Sequence, residues 1–240
     1  NVWLDELAMH RRHRSAKGSP VARALRAAIV GKTPRPGNRA TLSCHSRSDR
    51  IATPMHKVFI SADTLLTASF RLAIQVHTSG YLPDLILGVW RGGSPIAIAI
   101  HEYFAFRGHN CEHFPVRVSA YTGIGAQADR ITIHGLSWLL PQLADTRRLL
   151  VVDDVLDTGR SLDALLNALR SIPGTRDIRI ACPWYKPAHN RTRIVPDYYL
   201  HETADWLVFP HELAGLSADE IRAGKGALGA LLLSGPSRAT

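Results

Sequence analysis

The chain has 240 residues, 45% of them hydrophobic and 20% charged, with 29 Lys+Arg against 20 Asp+Glu and a formal net charge of +9. That composition excludes a chain disordered throughout, because disorder goes with low hydrophobicity and dense charge, and the length is ample for one large core. A pI near 9.9 points to a polyanionic partner, yet residues 1–54 carry 11 Lys+Arg and 3 Asp+Glu while the other 186 residues carry 18 and 17, so nearly all the basicity sits in the first quarter.

That first quarter is rich in Arg, Ser, Pro, Gly and Ala, with turn pairs such as Ser19-Pro20 and Pro34-Arg35-Pro36-Gly37. Only one short apolar run, residues 22–30, suits a brief amphipathic helix. Residues 1–54 therefore read as a disordered basic leader, and Met55, where the texture changes, reads as the native start. Residues 55–61 predict a short strand with Ser61 as N-cap of a helix over 63–79. Residues 84–89 form a buried-strand pattern leading through Trp90-Arg91-Gly92-Gly93 into a helix over 94–106. A second strand is expected over 113–119, then a polar, Gly-containing stretch over 120–130, with residues 131–134 pairing at its far side. The strongest strand pattern, 148–153, is followed by a helix over 161–171, and a further strand by 178–182. Strands separated by helices of this length predict a single α/β domain over 55–222, with a mainly parallel twisted sheet flanked by helices. The Gly/Ala/Leu-rich residues 223–240 read as a C-terminal tail.

Several function classes drop out on inspection. Cys44, Cys111 and Cys182 are odd in number and widely spaced, so neither a disulfide framework nor a zinc knuckle is available, and a reducing, cytoplasmic setting is expected. There is no run of 18 apolar residues and no apolar signal region, so no membrane partner is expected. Gly31-Lys32-Thr33 lacks the first glycine of a phosphate loop, Arg26 standing there, and Asn190-Arg191-Thr192 matches a glycosylation acceptor by accident.

Ligands of open parallel sheets bind beyond the carboxyl ends of the strands, where strand order reverses. The loops after Val89, Ser119, Val152 and Cys182 are the places to look. Residues 149–161 carry the most chemistry: an apolar strand ends in Asp153-Asp154, a third acid follows at Asp157, and Thr158-Gly159-Arg160-Ser161 opens a helix. Three carboxylates this close are costly to fold together without a cation or polyol partner. The short hydroxyl-rich loop aims backbone N–H groups and the positive end of a helix dipole at an anion.

This stretch resembles the PRPP-binding signature of the type I phosphoribosyltransferases, and residues 57–212 are similar to bacterial hypoxanthine, guanine or xanthine phosphoribosyltransferases. The resemblance implies Mg²⁺-dependent transfer of the phosphoribosyl group from PRPP to N9 of a 6-oxopurine base, with release of pyrophosphate, in purine salvage. It places Asp153 and Asp154 on the ribose hydroxyls, directly or through Mg²⁺, and Thr158, Gly159, Arg160 and Ser161 on the 5′-phosphate. Asp157 takes the catalytic general-base position facing purine N7. Arg91, Gly92 and Gly93 match the pyrophosphate loop, where a non-proline cis peptide is expected at Arg91–Gly92. The segment from Ser119 and Tyr121 to Gly125 resembles a mobile lid. In a small base-binding subregion Lys186 matches the contact to O6, Trp206 the stacking aromatic and Leu207 the backbone that reads the C2 edge. Glu212 matches an acid near pyrophosphate or metal, making Asp153, Asp154 and Glu212 the candidate metal ligands. A homodimer or homotetramer is implied, and no nucleic-acid partner. The competing class is a PRPP-sensing transcriptional regulator using the basic leader, disfavoured because residues 1–54 contain no recognisable helix-turn-helix.

Overall fold

The computed structural model describes residues 57–120, 131–174 and 177–234. The basic leader, Met55 and Tyr121 with the rest of the expected lid lie outside the described residues. By contact the chain divides into two units, and the site lies wholly in the larger, Arg50–Leu165 with Gly174–Thr240, while Leu166–Pro173 belong to the other.

Strand β1 (Lys57–Phe59) leads to helix α1 (Ala62–Thr78). Ser61 is extended at φ −75°, ψ 161°, and its Oγ accepts from the Thr64 N–H at 3.0 Å, the expected N-cap. Leu65, Ala68, Ser69, Leu72, Ala73 and Val76 recur at helical spacing and are all buried. Strand β2 (Leu85–Trp90) feeds helix α2 (Gly93–Phe106), which buries Ile96, Ala97, Ile100 and Phe104. Then follow β3 (Glu112–Ala120), β4 (Ile131–His134), α3 (Leu136–Asp145), β5 (Arg148–Val152), β6 (Val155–Leu156) and α4 (Arg160–Arg170). The chain continues with β7 (Asp177–Ala181), β8 (Trp184–Tyr185), β9 (His201–Glu202), β10 (Trp206–Val208), α5 (Ala218–Gly224) and α6 (Ala227–Leu233). Residues 227–233, inside the segment read as a tail, are thus helical.

The main sheet has the order β4-β3-β2-β5-β7, parallel except for β4, which pairs antiparallel with β3 as expected. Ile86, Leu150 and Val152 share one core with the buried residues of α1 and α2. Leu85, Leu87, Leu149 and Val151 alternate to the other face and are buried too, so both faces are covered, as an all-parallel interior requires.

From β2 the chain moves to β3 on one side and returns as β5 on the other. The carboxyl ends of β2 and β5 therefore flank the switch point, and the loops after Trp90 and Val152 meet there. Two smaller ladders, β1-β10 and β6-β8-β9, lie outside the expected sheet. Among the described residues no helix is long and apolar enough to cross a membrane.

Candidate active site

At the switch point the backbone after β2 lies directly against the carboxylates after β5. A Cβ on Gly92 would overlap the Asp154 carboxylate, and one on Gly93 the carbonyl oxygen of Val152. These glycines are required for close approach, whatever their φ. The cis peptide of this loop joins Trp90 to Arg91, one residue ahead of the expected Arg91–Gly92 bond. Arg91 itself is exposed. Gly92→Ala is expected to push the Arg91 loop off Asp154 and to lower kcat/KM for PRPP about 100-fold, the scale of a misplaced substrate-positioning group. Steady-state titration of PRPP checks this, and an unchanged value contradicts the contact.

Asp153 and Asp154 are held tightly by the backbone. Asp153 Oδ1 accepts from the Asp154 N–H at 3.0 Å, and Asp154 Oδ1 accepts from the Val155 N–H at 2.8 Å. Burial, with the adjacent Asp154 charge, pushes the Asp153 carboxyl well above the ordinary carboxylate range. Burial, helped by Glu212, raises Asp154 to about 6. Two adjacent carboxylates that resist ionising together are suited to a cation or to ribose hydroxyls. Glu212 contributes its charge nearby, but its Oε2 accepts from the Phe209 N–H at 3.0 Å. Among the described residues no three His, Cys, Asp or Glu side chains are grouped as a metal-binding cluster.

The loop before α4 turns at Gly159, whose φ of +75° is left-handed. The Asp163 N–H then donates to the Gly159 carbonyl at 2.9 Å, starting the helix. Thr158, Arg160 and Ser161 are exposed. Residues 190–192 support this loop from behind: the Arg191 N–H donates to the Thr158 carbonyl at 3.0 Å, and a Cβ on Gly159 would meet Thr192 Oγ1 at 2.5 Å. Asn190 Oδ1 accepts from both the N–H and the hydroxyl of Thr192, each at 2.8 Å. The triplet Asn190-Arg191-Thr192 thus braces the loop that opens α4.

Lys186 and Asp157 meet beside that loop. The Lys186 side chain is buried, and its Nζ donates to Asp157 Oδ2 at 2.9 Å. The other carboxylate oxygen, Oδ1, faces His189 Nδ1 at 3.2 Å. The Lys186 Nζ lies 5.9 Å from the ring centroid of Trp206, and that residue is 48% exposed, open to a planar ligand. Leu207 is buried, its backbone in register with Val58 of β1. Lys186 is fixed by β8 and by its N–H donating to the Leu156 carbonyl at 2.9 Å. Three segments distant in sequence thus bring a carboxylate, an ammonium, an imidazole and an open aromatic ring together.

Three residues have no part in the expectations from sequence. His189 is one. His211 is another: its ring stacks on Phe209 at 6.0 Å, and burial, then the charges of Arg91 and Lys225 against that of Glu212, lower its pKa. Lys225, buried at the end of α5, donates to the Phe209 carbonyl at 2.6 Å and so pins the segment that carries His211 and Glu212. Of the lid, Ser119 lies in the last residues of β3, with its hydroxyl 3.2 Å from His134 Nε2.

The phosphoribosyl transferase domain family matches residues 61–215. The solved structure of a purine phosphoribosyltransferase from Pyrococcus horikoshii Ot3 is 32% identical, with a TM-score of 0.55 over 67% of this chain and 97% of that one. A hypothetical protein from Neisseria gonorrhoeae with bound ppGpp is 18% identical, with a TM-score of 0.59 over 73% of this chain and 98% of that one. The Helicobacter pylori xanthine-guanine-hypoxanthine phosphoribosyltransferase is 22% identical, with a TM-score of 0.51 over 64% and 92%. The last two likenesses are of fold. No curated protein matches the chain.

Proposed function

Because the chain belongs to the phosphoribosyl transferase family, we propose that it moves the 5-phosphoribosyl group of PRPP onto N9 of a 6-oxopurine, releasing pyrophosphate. The observation that carries the choice of base is the buried Lys186 ammonium, 2.9 Å from Asp157 and 5.9 Å from the centroid of the open Trp206 ring. A 6-oxo group accepts a hydrogen bond from an ammonium, whereas the 6-amino group of adenine sets donor against donor. The name of the 32% identical relative, a purine phosphoribosyltransferase, supports a purine as the acceptor base.

In this reaction the bond from the anomeric carbon to the pyrophosphate oxygen breaks as the bond to N9 forms, through a state with oxocarbenium character. Asp153 and Asp154, fixed by backbone N–H groups, hold the ribose and face its developing positive charge. The backbone of residues 158–161 and the start of α4 take the 5′-phosphate. Arg91 and the bare backbone of Gly92 and Gly93 take the pyrophosphate. Trp206 stacks on the base, Lys186 donates to O6, and Asp157 accepts the purine proton at N7. Asp153 and Asp154 fit Mg²⁺, which typically takes one or two carboxylates together with substrate oxygens and would neutralise charge on the leaving pyrophosphate.

The test is direct. Purified protein with Mg²⁺, PRPP and hypoxanthine, guanine or xanthine is expected to release pyrophosphate and the matching nucleoside monophosphate in equal amounts, read by chromatography. Absence of nucleotide from all three bases refutes the reading.

A further inference from the structure

Asp157 is held at both oxygens, and the two holders are not equivalent. Lys186 Nζ donates to Oδ2 at 2.9 Å and His189 Nδ1 faces Oδ1 at 3.2 Å. Both come from one turn: the His189 N–H donates to the Lys186 carbonyl at 3.1 Å, with Pro187 in the position that proline favours in such turns. An i to i+3 turn places the first and fourth side chains side by side, here on the two oxygens of one carboxylate.

We infer that His189 is a positioning residue that holds the Asp157 carboxylate in place while Lys186 turns to the substrate. The inference rests on the reading of Asp157 and Lys186 given above. When a 6-oxopurine enters, its O6 competes for the Lys186 ammonium, and N7 needs an Asp157 oxygen. The contact at Oδ2 is then shared or broken during turnover. The contact at Oδ1 touches neither group of the base and persists. A carboxylate on a short side chain with one fixed oxygen keeps its second oxygen aimed. Without the fixed oxygen it rotates freely about χ2, and the near-attack geometry is populated less of the time. The imidazole acts here as a hydrogen-bond donor, which requires the proton on Nδ1.

The same turn is continuous with the buttress of the anion loop, since Arg191 and Thr192 contact residues 158 and 159. A merely structural role for His189, holding the turn in shape, would therefore disturb PRPP binding as well as the handling of the base. A positioning role would not.

The experiment compares His189→Ala, His189→Asn and Asp157→Asn, using whichever of hypoxanthine, guanine and xanthine the unmodified protein turns over fastest. The amide nitrogen of asparagine occupies nearly the place of Nδ1, so His189→Asn keeps a donor there. His189→Ala is expected to lower kcat about 10- to 100-fold with KM for PRPP unchanged, and His189→Asn to recover most of that loss. Equal losses in both His189 variants, with a raised KM for PRPP, overturn the inference in favour of a structural role. Full kcat in His189→Ala overturns it as well, and leaves the base-site reading standing if Asp157→Asn is impaired. Full kcat in Asp157→Asn overturns the assignment of Asp157 itself and the inference with it.

Discussion

Asp157→Asn is expected to reduce kcat by about 10²- to 10⁴-fold, the usual contribution of a positioned general base, while the Kd for PRPP stays within about threefold, well under 1 kcal/mol. The amide has the size and planarity of the carboxylate, so the shape of the pocket is kept. It cannot take a proton from the base, and it presents one donor nitrogen where the carboxylate offers acceptors to Lys186 and His189. The binding loop is spared, because residues 158 and 159 are braced by Arg191, Thr192 and Asn190 and not by Asp157. Lys186, being buried, loses part of its counter-charge, so the melting temperature of the variant needs to be measured alongside its kinetics. Single-turnover kinetics at saturating PRPP separate chemistry from binding. A variant that turns over as fast as the unmodified protein removes Asp157 from the mechanism.

The second large effect runs in opposite directions for activity and stability. Asp154→Asn is expected to abolish most turnover by removing a carboxylate from the ribose. Yet near pH 7.5, without metal or substrate, it is expected to unfold at higher denaturant, by on the order of 2 kcal/mol. The sign follows from the raised pKa. With the Asp154 carboxyl lifted to about 6 by burial and by Glu212, the folded chain binds that proton more tightly than the unfolded chain. The stabilisation from this group is complete below the ordinary carboxylate pKa near 4. It is lost as pH rises through about 6. Above that, the unmodified protein carries an unfavourable buried charge near Glu212, which the amide lacks. Asn keeps an oxygen to accept from the Val155 N–H, the local bond that Asp154 makes at 2.8 Å. The gap between variant and unmodified protein is therefore expected to narrow as pH falls from 7.5 through about 6 and to close below about pH 4 in urea unfolding. A variant less stable than the unmodified protein at pH 7.5 contradicts the electrostatic account.

These effects cluster where the sequence was easiest to read. The acid pair at the end of β5 is legible because an apolar run that stops at two adjacent carboxylates has few uses besides holding a cation or a polyol. Gly92 and Gly93 are legible because consecutive glycines between a strand and a helix free the backbone for close approach; the structure shows that approach toward Asp154, whose carboxylate a Cβ on Gly92 would overlap. The ladders β1-β10 and β6-β8-β9 were not legible, since strands of two or three residues carry no period and pair only through tertiary context. The cis bond lies at Trp90–Arg91, and nothing in residue type distinguishes that bond from its neighbour. His189 went unread because the loop geometry that carries it to Asp157 joins positions 32 apart. A signal was nonetheless present: Pro187 following Lys186 marks the start of a turn, and turns bring positions i and i+3 together. Lys186 and His189 are such a pair.

The claim on which everything else depends is that an ammonium donor faces position 6 of the base. The most direct measurement is kcat/KM for hypoxanthine, guanine, xanthine and adenine under one set of conditions with saturating PRPP and Mg²⁺. At least one 6-oxopurine is expected to exceed adenine by about 100-fold or more, since a site built around a buried donor rejects a substrate that offers another donor. Formation of AMP at a rate comparable with every 6-oxopurine product contradicts the account.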